Sequence, residues 1–168
     1  RDELEKYLLG METSLASLRL PRPVDTVFWG GGTPGLLPAA DLRRLGQAVL
    51  RANEGMVPSE WTVEMAPSTV KPDRLEALLE LGVTRFSMGV QTFNAKLLEG
   101  LGRIHTKRQV ESALEAFKKF GIINFNIDLI FAIPGQSLQM WESDLKSTLA
   151  VNPAHISTYC LTFEEDTA

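Results

Sequence analysis

The stretch Val24-Asp25-Thr26-Val27-Phe28-Trp29-Gly30-Gly31-Gly32-Thr33-Pro34 decides the fold. Residues 24–29 form a short β-type run that stops at consecutive glycines. Helical spacing follows at Leu42, Leu45, Val49 and Leu50. A strand that ends in a glycine loop and leads into a helix is half of a βα unit, and the unit recurs. Further β-type runs lie at residues 61–65, 85–90, 125–131 and 155–163. Helical periodicity separates them at Leu75, Leu78 and Leu79, closed by Gly82, and at Val110, Ala113, Leu114 and Phe117, closed by Gly121. It returns at Leu138, Trp141, Leu145 and Leu149, before Pro153. Glycine just past a helix end suits the left-handed cap conformation. Upstream, Leu4, Tyr7, Leu8, Met11, Leu15 and Leu18 make one more apolar stripe.

The order is therefore helix and strand in alternation, at roughly 30–35 residues per unit, which calls for parallel strands joined by right-handed crossovers. Several runs are apolar almost throughout, as strands covered on both faces tend to be. The expected fold class is α/β, one domain over residues 1–168. Part of a (β/α) barrel and a doubly wound sheet both fit the order, and five strands are too few to close an eight-stranded barrel.

Bulk composition narrows the function classes. The chain has 168 residues, 44% of them hydrophobic and 23% charged, as in ordinary globular domains. Lys plus Arg number 17 against 21 Asp plus Glu, a net charge of −4, which argues against an extended nucleic-acid surface. No apolar run approaches the ~20 residues that span a bilayer, and no signal-peptide pattern opens the chain, so a cytoplasmic protein is expected. Cys160 is the single cysteine, which rules out a disulfide framework or a multi-thiolate metal site within these residues. Cys160, inside an apolar run, is expected to be a small core residue. The chain opens in mid-helix without an initiator Met and closes just after a strand-like run, so a segment of a longer protein is expected.

In parallel α/β folds chemistry gathers at the carboxyl ends of the strands. Here the first run is followed by Gly30-Gly31-Gly32-Thr33-Pro34, and the second holds Glu64 near its end. The third ends in Gly89-Val90-Gln91, and the fourth carries Asp128 and leads to Pro134-Gly135-Gln136. The fifth holds Tyr159 and ends near Thr162 and Glu164. Each residue alone has an ordinary explanation. Three glycines are usually a plain loop, and Glu64 or Gln91 would serve as helix caps. Asp128 is harder to dismiss, because a carboxylate within Asn126-Ile127-Asp128-Leu129-Ile130 is costly unless paired. Five polar groups at one end point to a site. The glycine loop lacks the Lys-Ser/Thr pair of a phosphate loop and the spacing of a dinucleotide fingerprint. Close backbone approach to an amino-acid-like ligand suits it better.

Six collinear blocks carry a resemblance: Phe28-Trp29-Gly30-Gly31-Gly32-Thr33-Pro34; Glu64; Ser87-Met88-Gly89-Val90-Gln91-Thr92-Phe93; Leu101-Gly102-Arg103-Ile104-His105; Asn126-Ile127-Asp128-Leu129-Ile130; and Ile133-Pro134-Gly135-Gln136. In order and spacing they resemble the radical S-adenosylmethionine (SAM) family of oxygen-independent coproporphyrinogen III oxidases and their heme-chaperone relatives. The resemblance implies a partial radical SAM (β/α) barrel, here truncated before its first strand, binding SAM beside a 4Fe–4S cluster. It implies Gly31, Gly32 and Thr33 as the glycine motif that holds SAM, with Glu64, Gln91, Arg103, Asp128 and Thr162 as further contacts. Arg103 suits the methionine carboxylate, Glu64 the ammonium, and Asp128 with Gln91 the ribose hydroxyls or a second SAM.

The implied partners are a porphyrinogen or heme, an electron donor such as a flavodoxin or ferredoxin, and a membrane protein that accepts heme. The family's cluster sits on three cysteines of a C-x3-C-x2-C loop, which these residues lack, so the ligands are expected upstream. Leu101–His105 and the run at 157–164 favour the heme-chaperone branch over the oxidases. A non-catalytic protein that uses the barrel only to bind heme or a partner is the rival reading. His105, on a loop beside a helix start, is expected to be a cap or surface residue rather than a heme ligand. His155 is expected to be structural, and Trp29, Trp61 and Trp141 to occupy core positions.

Overall fold

The computed structural model describes residues 2–103 and 105–162, in two compact units. Arg1–Glu64 and Lys71–Arg85 form the first, and Met65–Val70 and Phe86–Ala168 the second.

In the first unit, helix α1 (Asp2–Ser17) precedes strand β1 (Thr26–Trp29), helix α2 (Ala39–Ala52), strand β2 (Glu60–Met65) and helix α3 (Pro72–Glu80). β1 and β2 pair in parallel, Thr26 opposite Glu60 and Trp29 opposite Val63. The apolar periodicity of α2 and α3 is spent on the core. Leu42, Leu75, Leu78, Trp61 and Val63 are all fully buried. Asn53, just past α2, is 2% exposed and ties the chain entering β1. Its Oδ1 accepts from the Val24 N–H at 2.6 Å, and its Nδ2 donates to the Val24 and Met56 carbonyls. Arg44 on α2 reaches Glu5 and Glu12 of α1. The α1 stripe is less covered than its periodicity predicts: Leu8 is buried, whereas Tyr7 is 55% and Met11 38% exposed. Both border a cavity beside the glycine loop instead of packing closely.

The second unit runs from strand β3 (Arg85–Gln91) through helices α4 (Ala95–Gly100) and α5 (Lys107–Lys119), strand β4 (Phe125–Phe131) and helix α6 (Leu138–Ala150) to strand β5 (His155–Cys160). β4 pairs in parallel with β3 on one side and β5 on the other. Phe86, Met88, Ile127 and Leu129 are buried, and Phe117 of α5 packs its ring between those of Phe86 and Phe125. α5 opens with a reciprocal capping box between Thr106 and Gln109.

The α/β class with parallel strands is what the alternating pattern predicts, and further details differ from it, Trp29 and Trp141 being half-buried rather than core. The run at 155–163 pairs as a strand only to Cys160, and Phe163 lies outside the described residues, as does Glu164. Cys160 is exposed rather than core, because β5 pairs with β4 alone and the end of the strand is open. His105 is 6% exposed rather than a surface cap, its ring drawn in to the Val90 carbonyl. α4 is a short helix outside the periodic stretches. Its signal is Asn94, whose side chain accepts from the Lys96 and Leu97 N–H groups.

Candidate functional site

Within the first unit the carboxyl ends of β1 and β2 bring a glycine loop and a carboxylate together. Gly31 and Gly32 take left-handed φ angles of 77° and 59°. Thr33 returns to extended backbone and the chain enters a short 3-10 turn, Pro34–Leu36. A Cβ added at Gly31 or Gly32 would meet nothing within 4 Å, so the loop presents bare backbone to open space. Gly30 is different: a Cβ there would meet Phe28 Cε1 at 2.6 Å and the Glu64 carboxyl at 3.1 Å. Glycine at 30 lets Glu64 come up against the loop, and the Gly31 N–H donates to Glu64 Oε2 at 3.2 Å. Beside the loop is a cavity of about 300 Å³ bordered by Tyr7, Met11, Phe28, Trp29 and Thr33. Trp29 is half-buried, edge-on to fully buried Trp61 with ring centroids 5.2 Å apart.

In the second unit, Gln91 ends β3 with φ of 66°, beyond a register shift between Gly89 and Gln91. A Cβ at Gly89 would lie 2.8 Å from Gln91 Nε2, so Gly89 makes room for the Gln91 amide. Gly89 is the register partner of Asp128 on β4. The Gln91 amide therefore lies over a backbone position directly opposite Asp128.

Asp128 is half-buried and its partners are neutral. Oδ2 accepts from the Ser87 hydroxyl at 3.0 Å, and Oδ1 from Asn126 Nδ2 at 2.7 Å. Asn126, 1% exposed, is the hub. Its Nδ2 also donates to Ser87 Oγ at 2.8 Å, and its Oδ1 takes the Ser157 hydroxyl at 3.1 Å and His155 Nδ1 at 2.6 Å. Asn126 pairs with His155, and Asp128 with Ser157, across β4 and β5. His155 is thus structural, as its position predicts. Ser87, Asn126 and Ser157 are the residues that sequence reasoning missed. Their signal is the spacing of two, which puts 126 with 128 and 155 with 157 on one sheet face.

Arg103 and Thr162 are not in hydrogen-bond contact with Gln91 or Asp128 among the described residues. Arg103 stands on the exposed loop after α4, next to Gly102 at φ 63°. At His105 burial holds the imidazole below its ordinary pKa, the bond to Val90 opposes this, and the Arg103 charge adds a smaller push in the same direction as burial. Thr162 is exposed just past the β5 ladder, which Leu161 extends by donating to the Phe131 carbonyl at 2.9 Å.

Comparison with known proteins bears on the chain as a whole. The family model described as the radical SAM superfamily matches residues 13–147. The chain is 41% identical over 164 residues to the heme chaperone HemW of Lactococcus lactis subsp. lactis (strain IL1403), covering 98% of this chain and 43% of that protein. It is 36% identical over 166 residues to the heme chaperone HemW of Escherichia coli (strain K12), covering 99% of this chain and 44% of that one. Among solved structures, coproporphyrinogen III oxidase (HemN) from Escherichia coli, described as a radical SAM enzyme, superposes with a TM-score of 0.85 at 30% identity. That match covers 95% of this chain and 38% of the oxidase. The chain thus spans less than half the length of each of these relatives.

Proposed function

The chain belongs to the radical SAM superfamily, with heme-chaperone and coproporphyrinogen-oxidase relatives, and from that premise we propose that its strand ends form a SAM-binding site serving heme or porphyrin metabolism. The observation that carries the proposal is the bare glycine loop with Glu64 drawn up against it. Left-handed Gly31 and Gly32 leave main-chain groups open to a ligand, and Glu64 supplies the negative charge an ammonium requires. Gln91 and Asp128 carry an amide and a carboxylate suited to ribose hydroxyls, and Arg103 a cation suited to a carboxylate. Thr33 and Thr162 complete the set.

The family implies a 4Fe–4S cluster as well as SAM. SAM fits the residues present; the cluster does not. A single cysteine, exposed, cannot supply the several thiolates a cluster takes. Among the described residues no group of three or more His, Cys, Asp or Glu is placed to hold a metal ion. For this chain the proposed activity is therefore ligand binding: holding SAM by its amino-acid end and its ribose.

The heme-chaperone branch is favoured by curated relatives that carry that name, the Lactococcus lactis and Escherichia coli proteins among them. In that reading the whole protein binds heme and passes it to a membrane protein. A porphyrinogen substrate and a flavodoxin or ferredoxin donor belong to the oxidase reading. A cytoplasmic location accords with either, and no helix among the described residues is long and apolar enough to cross a membrane.

Titration calorimetry with SAM tests the site. The chain is expected to bind SAM saturably, and Glu64→Gln to weaken it by about 10-fold or more, the worth of one charge-assisted bond. Equal affinity in the Glu64→Gln variant, with circular dichroism unchanged, overturns the assignment.

A further inference from the structure

The segment that carries Gln91 is gripped from two sides. Gln91 holds a left-handed φ of 66° without being glycine, a conformation that persists only where the surroundings over-determine it. The next residue, Thr92, is fully buried and donates its hydroxyl to Asp144 Oδ2 at 2.7 Å. The Phe93 N–H donates to the other oxygen of the same carboxylate at 2.9 Å. Thr92 Oγ accepts in turn from the Asn94 N–H at 3.1 Å. On the near side the Val90 carbonyl accepts from the Thr92 N–H at 2.8 Å, and His105 Nε2 stands 3.0 Å from the same oxygen. A carbonyl only accepts, so Nε2 carries the proton.

Asp144 lies in α6 and is 2% exposed. None of the salt bridges among the described residues includes it, and a buried carboxylate without a cation is costly. Both of its oxygens are spent on the two residues that follow Gln91.

We propose that Asp144 and His105 are positioning residues, which hold the Val90-to-Asn94 segment so that Gln91 keeps its left-handed backbone and its amide stays over Gly89. The inference rests on the reading of Gln91 as a SAM contact. Asp144 and His105 act through the loop and touch no ligand themselves.

The test uses Thr92→Val, which removes the hydroxyl with little change of shape, and Thr92→Ser, which restores it. His105→Gln keeps a donor for Val90, and His105→Ala removes it. Two readouts are taken on each variant: the backbone 13C and 15N chemical shifts of Gln91, which report its left-handed conformation without ligand, and SAM affinity by calorimetry. Thr92→Val and His105→Ala should shift the Gln91 resonances away from the left-handed pattern. They should weaken SAM by about 10-fold or more, the scale on which partners behind a ligand-binding group act at metal sites. Thr92→Ser and His105→Gln should recover both readouts. In a Gln91→Ala background, Thr92→Val should cost no further affinity, because its effect passes through the Gln91 amide.

Unchanged Gln91 resonances in both Thr92→Val and His105→Ala overturn the proposal, as does the same affinity loss with and without the Gln91 amide. Should the unaltered chain bind no SAM, the functional reading fails, and the resonances alone decide whether the grip exists.

Discussion

Asp128→Asn separates the site from its scaffold, and the hydrogen bonds around Asp128 set the expected numbers. The carboxylate accepts one bond from Asn126 Nδ2 at 2.7 Å and one from the Ser87 hydroxyl at 3.0 Å. An asparagine keeps the size and retains one acceptor oxygen for Asn126, as a neutral bond. Its new NH2 faces Ser87 Oγ, so the Ser87 hydroxyl hydrogen loses its acceptor. Bonds to a charged group carry ~1.5–3 kcal/mol and neutral ones ~0.5–1.5 kcal/mol, so the retained bond weakens by ~1 kcal/mol. Ser87 is 5% exposed, and its orphaned hydroxyl adds up to ~1 kcal/mol. The expected loss is ~1–2 kcal/mol of stability, about 2–8 °C in Tm for a chain of this size. It is not the larger loss that follows when a buried cation is left unpaired, because the partners are Ser87 and Asn126. SAM affinity should fall by roughly 10- to 100-fold, the worth of one charge-assisted bond. Urea denaturation and SAM calorimetry on the same variant read both quantities. A variant destabilised by several kcal/mol whose folded fraction binds SAM normally would falsify the assignment of Asp128 to the site.

Gly31→Val places a β-branched residue at φ 77° with open space around it, so its cost of ~1–2 kcal/mol is conformational, and the fold should survive with SAM binding sharply reduced; unchanged affinity would make the loop purely structural. His105 has a folded pKa below its unfolded value of about 6.5, so the neutral ring's contribution is fully present above that pH. As pH falls through about 6.5 the unfolded chain takes up a proton that the folded chain resists. Stability should drop by no more than about 1.4 kcal/mol per pH unit, and the advantage over His105→Gln should shrink; a pH-independent difference in unfolding free energy counts against this. Anaerobic reconstitution of the 168-residue chain with iron and sulfide should develop no 4Fe–4S absorption, since only one thiol is present, and fourfold iron and sulfide on the protein would reverse that expectation.

Strand ends were legible in the sequence because a parallel strand covered on both faces must be apolar until it stops, which leaves its polar terminus conspicuous. Asp128 within Ile127 and Leu129, and Glu64 beside Met65, stand out on that ground alone. The backbone of Gln91 was not legible, since nothing in Gly89-Val90-Gln91 announces a left-handed glutamine. Its cause, Asp144, lies 53 residues away on a helix whose periodicity reads as ordinary. His105 and Cys160 depart from the sequence expectation for opposite reasons. A loop histidine was drawn inward by a single carbonyl, and a cysteine in an apolar run fell where its strand has one neighbour. Thr162 shows the limit of strand-end reasoning, which locates it near the end of its strand but says nothing of what its side chain meets. Arg103, on the loop after α4, is implied by the resemblance alone.

The hydrogen bonds that converge on Asp128 all point one way. Ser157 and His155 donate to the Asn126 oxygen, the Asn126 amide donates to Ser87 and Asp128, and Ser87 donates to Asp128. An amide oxygen accepts only, so His155 holds its proton on Nδ1 whatever the state of Nε2. A side-chain amide also cannot accept a proton on one end and release one from the other as a hydroxyl or imidazole can. Asn126 is therefore an insulator: dipoles communicate across it and protons do not.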